Sequence, residues 1–487
     1  MAKNTTDRGM SKLIYLAVAV AAGLLTLAIA PLTGLQETGQ RLLGTLVFIV
    51  IVWVTEAVPY PVSSLMLIVL MTWAGAGPKV TLKASFQNAL TGFSATVPIA
   101  VMVATAFAAV VKSVGLSERI IYKIMAACAG RKGTAKASSI LGSMFFAEIP
   151  LTFLVPTATG RTALYLSFVE GLIKPYGFGK IEEKGEINPF QKAAYMATAI
   201  MPVIMGAAFL TGAEATLLAG RLIEEGTHVA QYWTESIKYL LLPALLMLAV
   251  TFFIMVKQFP SSIDNIPLDF IHTQLEKMGP MKREEKYVLI TLLIAVTLWI
   301  TDKLHHIPAE AILVLVAVIL FLPRIGPGDW KRDSKSIAWG AVLVIAASTG
   351  FASMLAKGGV IKMIVGWLSH AGVHSFIGVM ALMAASTLLL RLGVASITAA
   401  AALFVPLAIA MGQEAGFSPG QLVALGWITY VFCRAGYFLP QQSGSMIMAY
   451  EYGYFSRGDV FKLGIWLTVA TIIIYGIWAS VAIPTMI

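Results

Sequence analysis

Five ionisable side chains stand inside or at the edges of long apolar stretches: Glu148, Arg161, Glu214, Arg391 and Arg434. An ionised group at the centre of a bilayer costs at least about 2.5–3.5 kcal/mol on insertion scales, so such groups face a protein interior or a wet cavity and normally pair. Arginine carries a planar fork of donors that matches a carboxylate, sulfonate or sulfate in two hydrogen bonds, which makes Arg391 and Arg434 candidates for an anion clamp. A carboxylate closed off from water beside an anion is driven to take up a proton or hold a cation, which makes Glu148 and Glu214 candidates for coupling. A plainer role stays open for Arg161 and Glu148, which can form a purely structural ion pair.

These groups need elements that place them at membrane depth. The stretch 376–412 is apolar except for Arg391 and small polar groups near its middle. It is too long for one ordinary span, which takes roughly 20 apolar residues. It splits at Leu392-Gly393-Val394-Ala395-Ser396 into two legs, each short of a crossing. The split predicts a re-entrant hairpin over 376–411, whose freed tip backbone is tolerated only where it is buried in protein or lines a wet cavity. Two plain helices, or one long helix with a glycine defect, are the alternatives. A second hairpin is predicted over 137–170. The runs 196–222 and 420–450 each contain a polar break and are predicted to be discontinuous helices. With 13–31, 42–58, 61–77, 94–112, 240–257, 287–301, 310–324, 337–356 and 462–483, they make about 11 transmembrane helices.

Composition agrees with an all-α polytopic membrane protein: of 487 residues 58% are hydrophobic and 12% charged. The polar segments 174–194 and 257–287 are too short to carry a core of their own. The net charge of +10 comes from Lys and Arg at span ends, where lipid headgroups and the positive-inside rule account for it, so no nucleic-acid partner is inferred. Threaded from a cytoplasmic N-terminus, the clusters at Lys3–Lys12, Arg119–Lys136, Lys257–Arg283 and Arg324–Lys335 share one face, and the C-terminus lies on the extracytoplasmic side. Lys79, Lys83, Lys357 and Lys362 fall on the other face. The first apolar run lacks a small-x-small cleavage site and is read as an uncleaved span in the cell (inner) membrane. Two cysteines support no disulfide framework, and none of six histidines forms a zinc-hydrolase motif. No nucleophile–base pair or metal cluster suggests an enzyme, and the doubled hairpin pattern argues against a channel.

The two halves echo each other. Trp53-Val54-Thr55-Glu56 before Pro61 resembles Trp299-Ile300-Thr301-Asp302 before Pro308, and Lys112 matches Lys357. Pro156 and Pro406 close similar runs, and Lys238 and Pro260 match Lys462 and Pro484. Pairs in the same order point to an internal repeat. An odd number of spans per copy turns the second copy upside down, the pattern of a secondary transporter with its site near the midplane.

From VWVTEAVPYPVSSL to YEYGYFSRGDVFKLG the chain resembles the divalent anion:sodium symporter family of di- and tricarboxylate, citrate and sulfate carriers. The resemblance implies two opposed hairpins with Ser-Asn-Thr tips facing two Gly-Thr-Pro-type helix breaks, and a homodimer whose protomers each move a transport domain like an elevator. Carried over, Ser396 and Thr398 keep the second tip, with Ile397 in place of Asn. Counted back from Pro156, the first tip falls on Phe146-Ala147-Glu148, where the motif is absent. Thr211-Gly212-Ala213-Glu214 and Pro440-Gln441-Gln442-Ser443-Gly444 replace the usual breaks, with Ser443 standing for the Thr.

The expectations are therefore specific. Residues 1–41 form the tail and first helix, 42–260 the first inverted repeat, 261–286 a cytoplasmic linker and 287–487 the second repeat. Ser396, Thr398, Ser443, Arg391, Arg434 and Gly393 bind a small anionic substrate, since hydroxyls and half-helix N-termini suit a carboxylate. Small hydroxyls also permit close helix packing, which is the plainer alternative. Glu148, Glu214, Thr211 and Gly212 serve the coupling ion, Na+ or H+; no cofactor or other metal is expected. Three schemes stay open: proton symport, sodium symport, and exchange of one anion, sulfate or sulfonate included, for another.

Overall fold

Ser375, Ser396, Ser418 and Ser443 cap helix starts with their hydroxyls, Pro59 precedes another helix, and Pro156 follows a helix end. The computed structural model describes residues 2–29, 31, 34–55, 57–128, 134–173, 188–260, 266–370, 373–392 and 396–486. Gly393 of the second predicted tip and Glu56 lie outside the described residues.

The first half runs through α1 (Ala2–Ile29), α2 (Glu37–Thr55), α3 (Tyr60–Gly75), α4 (Leu82–Ala89), α5 (Thr96–Ser113), α6 (Leu116–Cys128), α7 (Ala137–Leu154), α8 (Ala158–Ile173), α9 (Pro189–Met205), α10 (Glu214–Thr227) and α11 (Trp233–Gln258). The linker carries α12 (Asp269–Met278). The second half runs through α13 (Arg283–Ile300), α14 (Asp302–His305), α15 (Ala309–Phe321), α16 (Trp330–Asp333), α17 (Trp339–Lys357), α18 (Val360–His370), α19 (Phe376–Arg391), α20 (Ile397–Glu414), α21 (Pro419–Arg434), α22 (Gly444–Tyr450) and α23 (Arg457–Val481). The chain is an all-α membrane protein: among the described residues eight helices are long and apolar enough to cross a bilayer, and α3, α15 and α19 are apolar but shorter.

The two halves hold helices of like length, α2 and α13, α5 and α17, and α11 and α23. Local contacts recur with them. Trp53 Nε1 donates to Ser63 at 3.1 Å, and Trp299 Nε1 donates to the Ala309 carbonyl at 3.3 Å, each joining the end of one helix to the start of the next. One sequence pairing does not hold. Pro156 stands between helices, whereas Pro406 lies inside α20.

That difference corrects the first tip. Phe146, Ala147 and Glu148 sit within α7, which continues to Leu154. The chain turns at Val155-Pro156-Thr157, because a proline disfavours the helical region for the residue before it and Val155 adopts φ −131°, ψ 93°. Tyr165 Oη then donates to the Met144 carbonyl at 3.1 Å, so α8 folds back along α7 as a hairpin.

The hydropathy reading passes over α6, α12 and α18, which are too short or too polar to span. On α6, Arg119 is buried, with Nε 2.9 Å from Glu285 and Nη1 donating to the Gly279 carbonyl at 2.7 Å, which pins the linker. Apolar packing forms two clusters. A smaller one joins α1–α3 to α17 through Ile49, Leu67, Met71 and Phe351, and a larger one holds both hairpins and both broken helices.

Candidate substrate and coupling site

The site is built around two interruptions. In the first, α9 ends at Met205 and α10 starts at Glu214, leaving 206–213 without regular helix. In the second, α21 ends at Arg434 and α22 starts at Gly444. Backbone freed in this way needs partners, since each buried orphan group costs about 1–3 kcal/mol.

Arg161 on α8 serves the first interruption. Its Nε lies 2.6 Å from Glu148 Oε1, both side chains being fully buried. Nη1 donates to the carbonyls of Val155 at 2.5 Å and Gly212 at 3.0 Å, and Nη2 donates to that of Pro202 at 2.9 Å. One guanidinium thus ties the hairpin turn, the end of α9 and the break to one carboxylate. Glu148 Oε2 has no hydrogen-bond partner among the described residues. Further support comes from α11: Trp233 Nε1 donates to Thr211 Oγ1 at 3.0 Å, and Leu210 N donates to Ser236 Oγ at 3.1 Å. Phe153, Phe209, Trp233 and Trp299 stack in sequence beside it, with ring centroids 4.2, 5.9 and 5.7 Å apart.

The second interruption is held differently. Gln442 Oε1 accepts from Phe438 N at 2.6 Å and Leu439 N at 2.7 Å, while its Nε2 donates to the Arg391 carbonyl at 2.7 Å. Arg391 Nη2 returns a hydrogen bond to the Gln442 carbonyl. The end of α19 and the second break therefore hold each other from both sides.

Arg434 links the two interruptions. Its Nε and Nη2 donate to the Val203 carbonyl at 2.9 and 2.5 Å, and Nη1 donates to Tyr430 Oη at 2.7 Å. Thr216 Oγ1 lies 2.5 Å from the same Tyr430 oxygen and donates to the Gly206 carbonyl at 2.7 Å. Gly206 is where the two arginines converge: a Cβ there would stand 2.5 Å from Arg434 Nη2 and 3.1 Å from Arg161 Nη2. No side chain fits.

Thr157 accepts from Gly160 N at 3.3 Å, Ser396 from Ala399 N at 3.1 Å and Ser443 from Met446 N at 3.1 Å, so three hydroxyls cap α8, α20 and α22. The halves cross here. α8 packs on α22, and α20 packs on α10. A Cβ at Gly444 would lie 3.2 Å from Thr159 Cγ2, which brings the first turn against the second break. Oriented N–H groups and buried guanidinium groups suit an anion.

Thr157 and Thr159 escape the sequence reading, which sets the first tip nine residues too early. Thr157-Ala158-Thr159 stands at the start of α8 as Ser396-Ile397-Thr398 stands at the start of α20. Pro156 beside a capping threonine was the available signal. Thr398 is buried at the second helix start, and Thr211 and Gly212 lie in the first break. Glu214 opens α10, with Oε2 buried and without a hydrogen-bond partner among the described residues.

Residues 10–484 match the family described as the sodium:sulfate symporter transmembrane region. The chain belongs to this family. This symporter-family chain is 26% identical over 414 residues to dicarboxylate transporter 2.1 of Arabidopsis thaliana chloroplasts, covering 82% of this chain and 70% of the relative. It is 22% identical over 516 residues to a sodium-dependent dicarboxylate transporter of Staphylococcus saprophyticus, covering 97% and 91%. Its fold resembles that of the YdaH transporter of Alcanivorax borkumensis, with TM-score 0.53, 13% identity, and 87% and 98% of the two chains covered.

Proposed function

We propose that the chain is a secondary-active carrier of small organic anions of the di- and tricarboxylate kind. The observation that carries this is the meeting of the first turn with both helix breaks: Arg161 and Arg434 converge on Gly206, and Thr159 at the start of α8 lies against Gly444 at the start of α22. Substrate is held by Ser396, Thr398 and Ser443, with Gly393 as a further candidate, and Arg391 and Arg434 shape the site from behind. Thr157 and Thr159 join them. The unit of α7–α11 with α19–α23 moves against the remaining helices in an elevator motion, within a homodimer of two inverted repeats spanning 42–260 and 287–487. The N-terminus is cytoplasmic, the C-terminus extracytoplasmic and the membrane the cell membrane. A catalytic role is not part of this reading.

On coupling, the family description and the name of the staphylococcal relative support sodium as the driving cation, with the first break and Glu214 facing it. A second reading is favoured by one observation. The carbonyls of Val155 and Gly212, which freed backbone would offer to sodium, already receive the Arg161 guanidinium, as does that of Pro202 at the end of α9. A tethered cation in that cage leaves no place there for a travelling one, and the carrier then exchanges one anion for another. Uptake of labelled succinate, citrate and sulfate into proteoliposomes tests both. Accumulation driven by sodium supports symport, accumulation driven only by an internal anion supports exchange, and absence of uptake under sodium, proton and counter-anion gradients overturns the carrier reading.

A further inference from the structure

The two flanks of α10 differ. On one flank, glycines let it press into its neighbours: a Cβ at Gly426 of α21 would stand 2.6 Å from Ile223, and one at Gly226 would stand 3.0 Å from Ile409 of α20. On the other flank, three clefts open between it and α5, α15 and α17, the largest reaching α20 as well. One of about 170 Å³ lies among Arg221, Tyr232, His306 and Glu310. One of about 230 Å³ lies among Ser94, Thr96, Arg221 and Thr349, and one of about 510 Å³ among Glu225, Thr349, Ser353 and Gln413. Interiors that stay together are packed to crystal-like density, so a seam of cavities marks where two bodies part.

Arg221 crosses this seam. Its Nε lies 2.8 Å from Glu310 Oε1 on α15 and 3.1 Å from Thr96 Oγ1 at the start of α5. Thr96 Oγ1 also donates to Glu310 Oε1 at 3.3 Å, which closes a triad. The far side of the guanidinium faces α10 itself, with Nη1 3.3 Å from Glu224 Oε2. One cation therefore sits between two carboxylates, one on each body.

We propose that Arg221 is a latch that holds α10 to α5 and α15 in this state and passes to Glu224 when the seam opens. The transfer keeps the guanidinium paired, while the buried Glu310 carboxylate is left without its cation, a cost that favours the latched state. Glu310 keeps the Thr96 hydroxyl when the arginine leaves. The proposal rests on the reading that the hairpins and broken helices move as one unit.

The test is reversible bridging in proteoliposomes. Arg221→Cys and Glu310→Cys are combined, joined with a short bifunctional methanethiosulfonate reagent, and assayed for uptake of labelled succinate and citrate. Bridging is expected to stop uptake, reductant to restore it, and the same reagent to leave each single variant active. Uptake by the bridged protein at the unbridged rate overturns the latch alone. Wild-type protein that takes up no di- or tricarboxylate sinks the carrier reading and the latch with it. For a pair that does not fold, Thr349→Cys reports on the cavity. Adding Arg221→Gln is expected to change its labelling by a hydrophilic thiol reagent about fivefold, through a shifted balance of states. Equal labelling rates in the two backgrounds contradict the latch.

Discussion

The two helix breaks meet one requirement, partners for freed backbone, by different chemistry. At 206–213 a guanidinium collects the Gly212 carbonyl together with those of Pro202 and Val155 and is balanced by a buried carboxylate, with an aromatic stack behind it. At 435–443 a neutral amide collects two N–H groups and trades hydrogen bonds with Arg391. The first brace depends on charge and desolvation, so losing either partner leaves an ion behind. The second depends on geometry, so losing Gln442 leaves only neutral groups unserved. A buried pair costs more to break by halves than to replace as a whole.

The largest effect is expected from Arg161→Met. It leaves Glu148 buried without its cation and the Val155 and Gly212 carbonyls without a donor, while the Pro202 carbonyl keeps Gly206 N, a loss of about 3–5 kcal/mol, read as a collapse of the thermal transition in detergent. Adding Glu148→Gln should recover part of it; a double variant no more stable than the single one would mean that charge is not what the first brace supplies. Next comes Gln442→Ala, which strands the N–H groups of Phe438 and Leu439. Roughly 1–3 kcal/mol should be lost, together with substrate affinity, since Ser443 and the start of α22 follow directly. An unchanged dissociation constant would separate the second break from the site.

Gly206→Ala should be similar in size but different in kind. Its methyl group would press on Arg434 Nη2 and on the Pro202 carbonyl, at 2.5 and 2.9 Å from the Cβ position. Overpacking of this sort costs about 1–3 kcal/mol, and binding should weaken because both guanidinium groups are displaced. The smallest effect is expected from Trp233→Phe, which keeps the aromatic stack and removes the hydrogen bond to Thr211. A loss of about 1 kcal/mol in thermal stability with transport retained would place the ring, rather than its N–H, at the centre of the support.

Much of this arrangement was legible before any coordinates. The discontinuous helices follow from polar residues set in long apolar runs, at Thr211–Glu214 and Pro440–Gly444, because a spanning helix has no use for them. The division into α19 and α20 follows from length, since 376–412 is too long for one span. The first tip was misplaced because Pro156 and Pro406 close look-alike runs, LTFLVP and AALFVP, and only one of the two prolines breaks a helix. Pro406 lies mid-helix in α20, where propensity is overridden by packing. Partners far apart in sequence were not legible. Nothing local couples Arg434 to the Val203 carbonyl, or Arg119 to Glu285, since each arginine reads as a solitary charge until the chain closes on it.

The central claim is that both turns and both breaks face one anion at membrane depth, and the most direct measurement is substrate protection of single cysteines at Thr159 and Ser396. Each variant, in proteoliposomes, is treated with a membrane-impermeant thiol reagent applied from either side, with and without a saturating dicarboxylate. Both cysteines are predicted to react, and the same anion is predicted to protect both. A residue at either position that stays inert from both sides, or that reacts equally fast with every anion present, would contradict a shared site between the two turns.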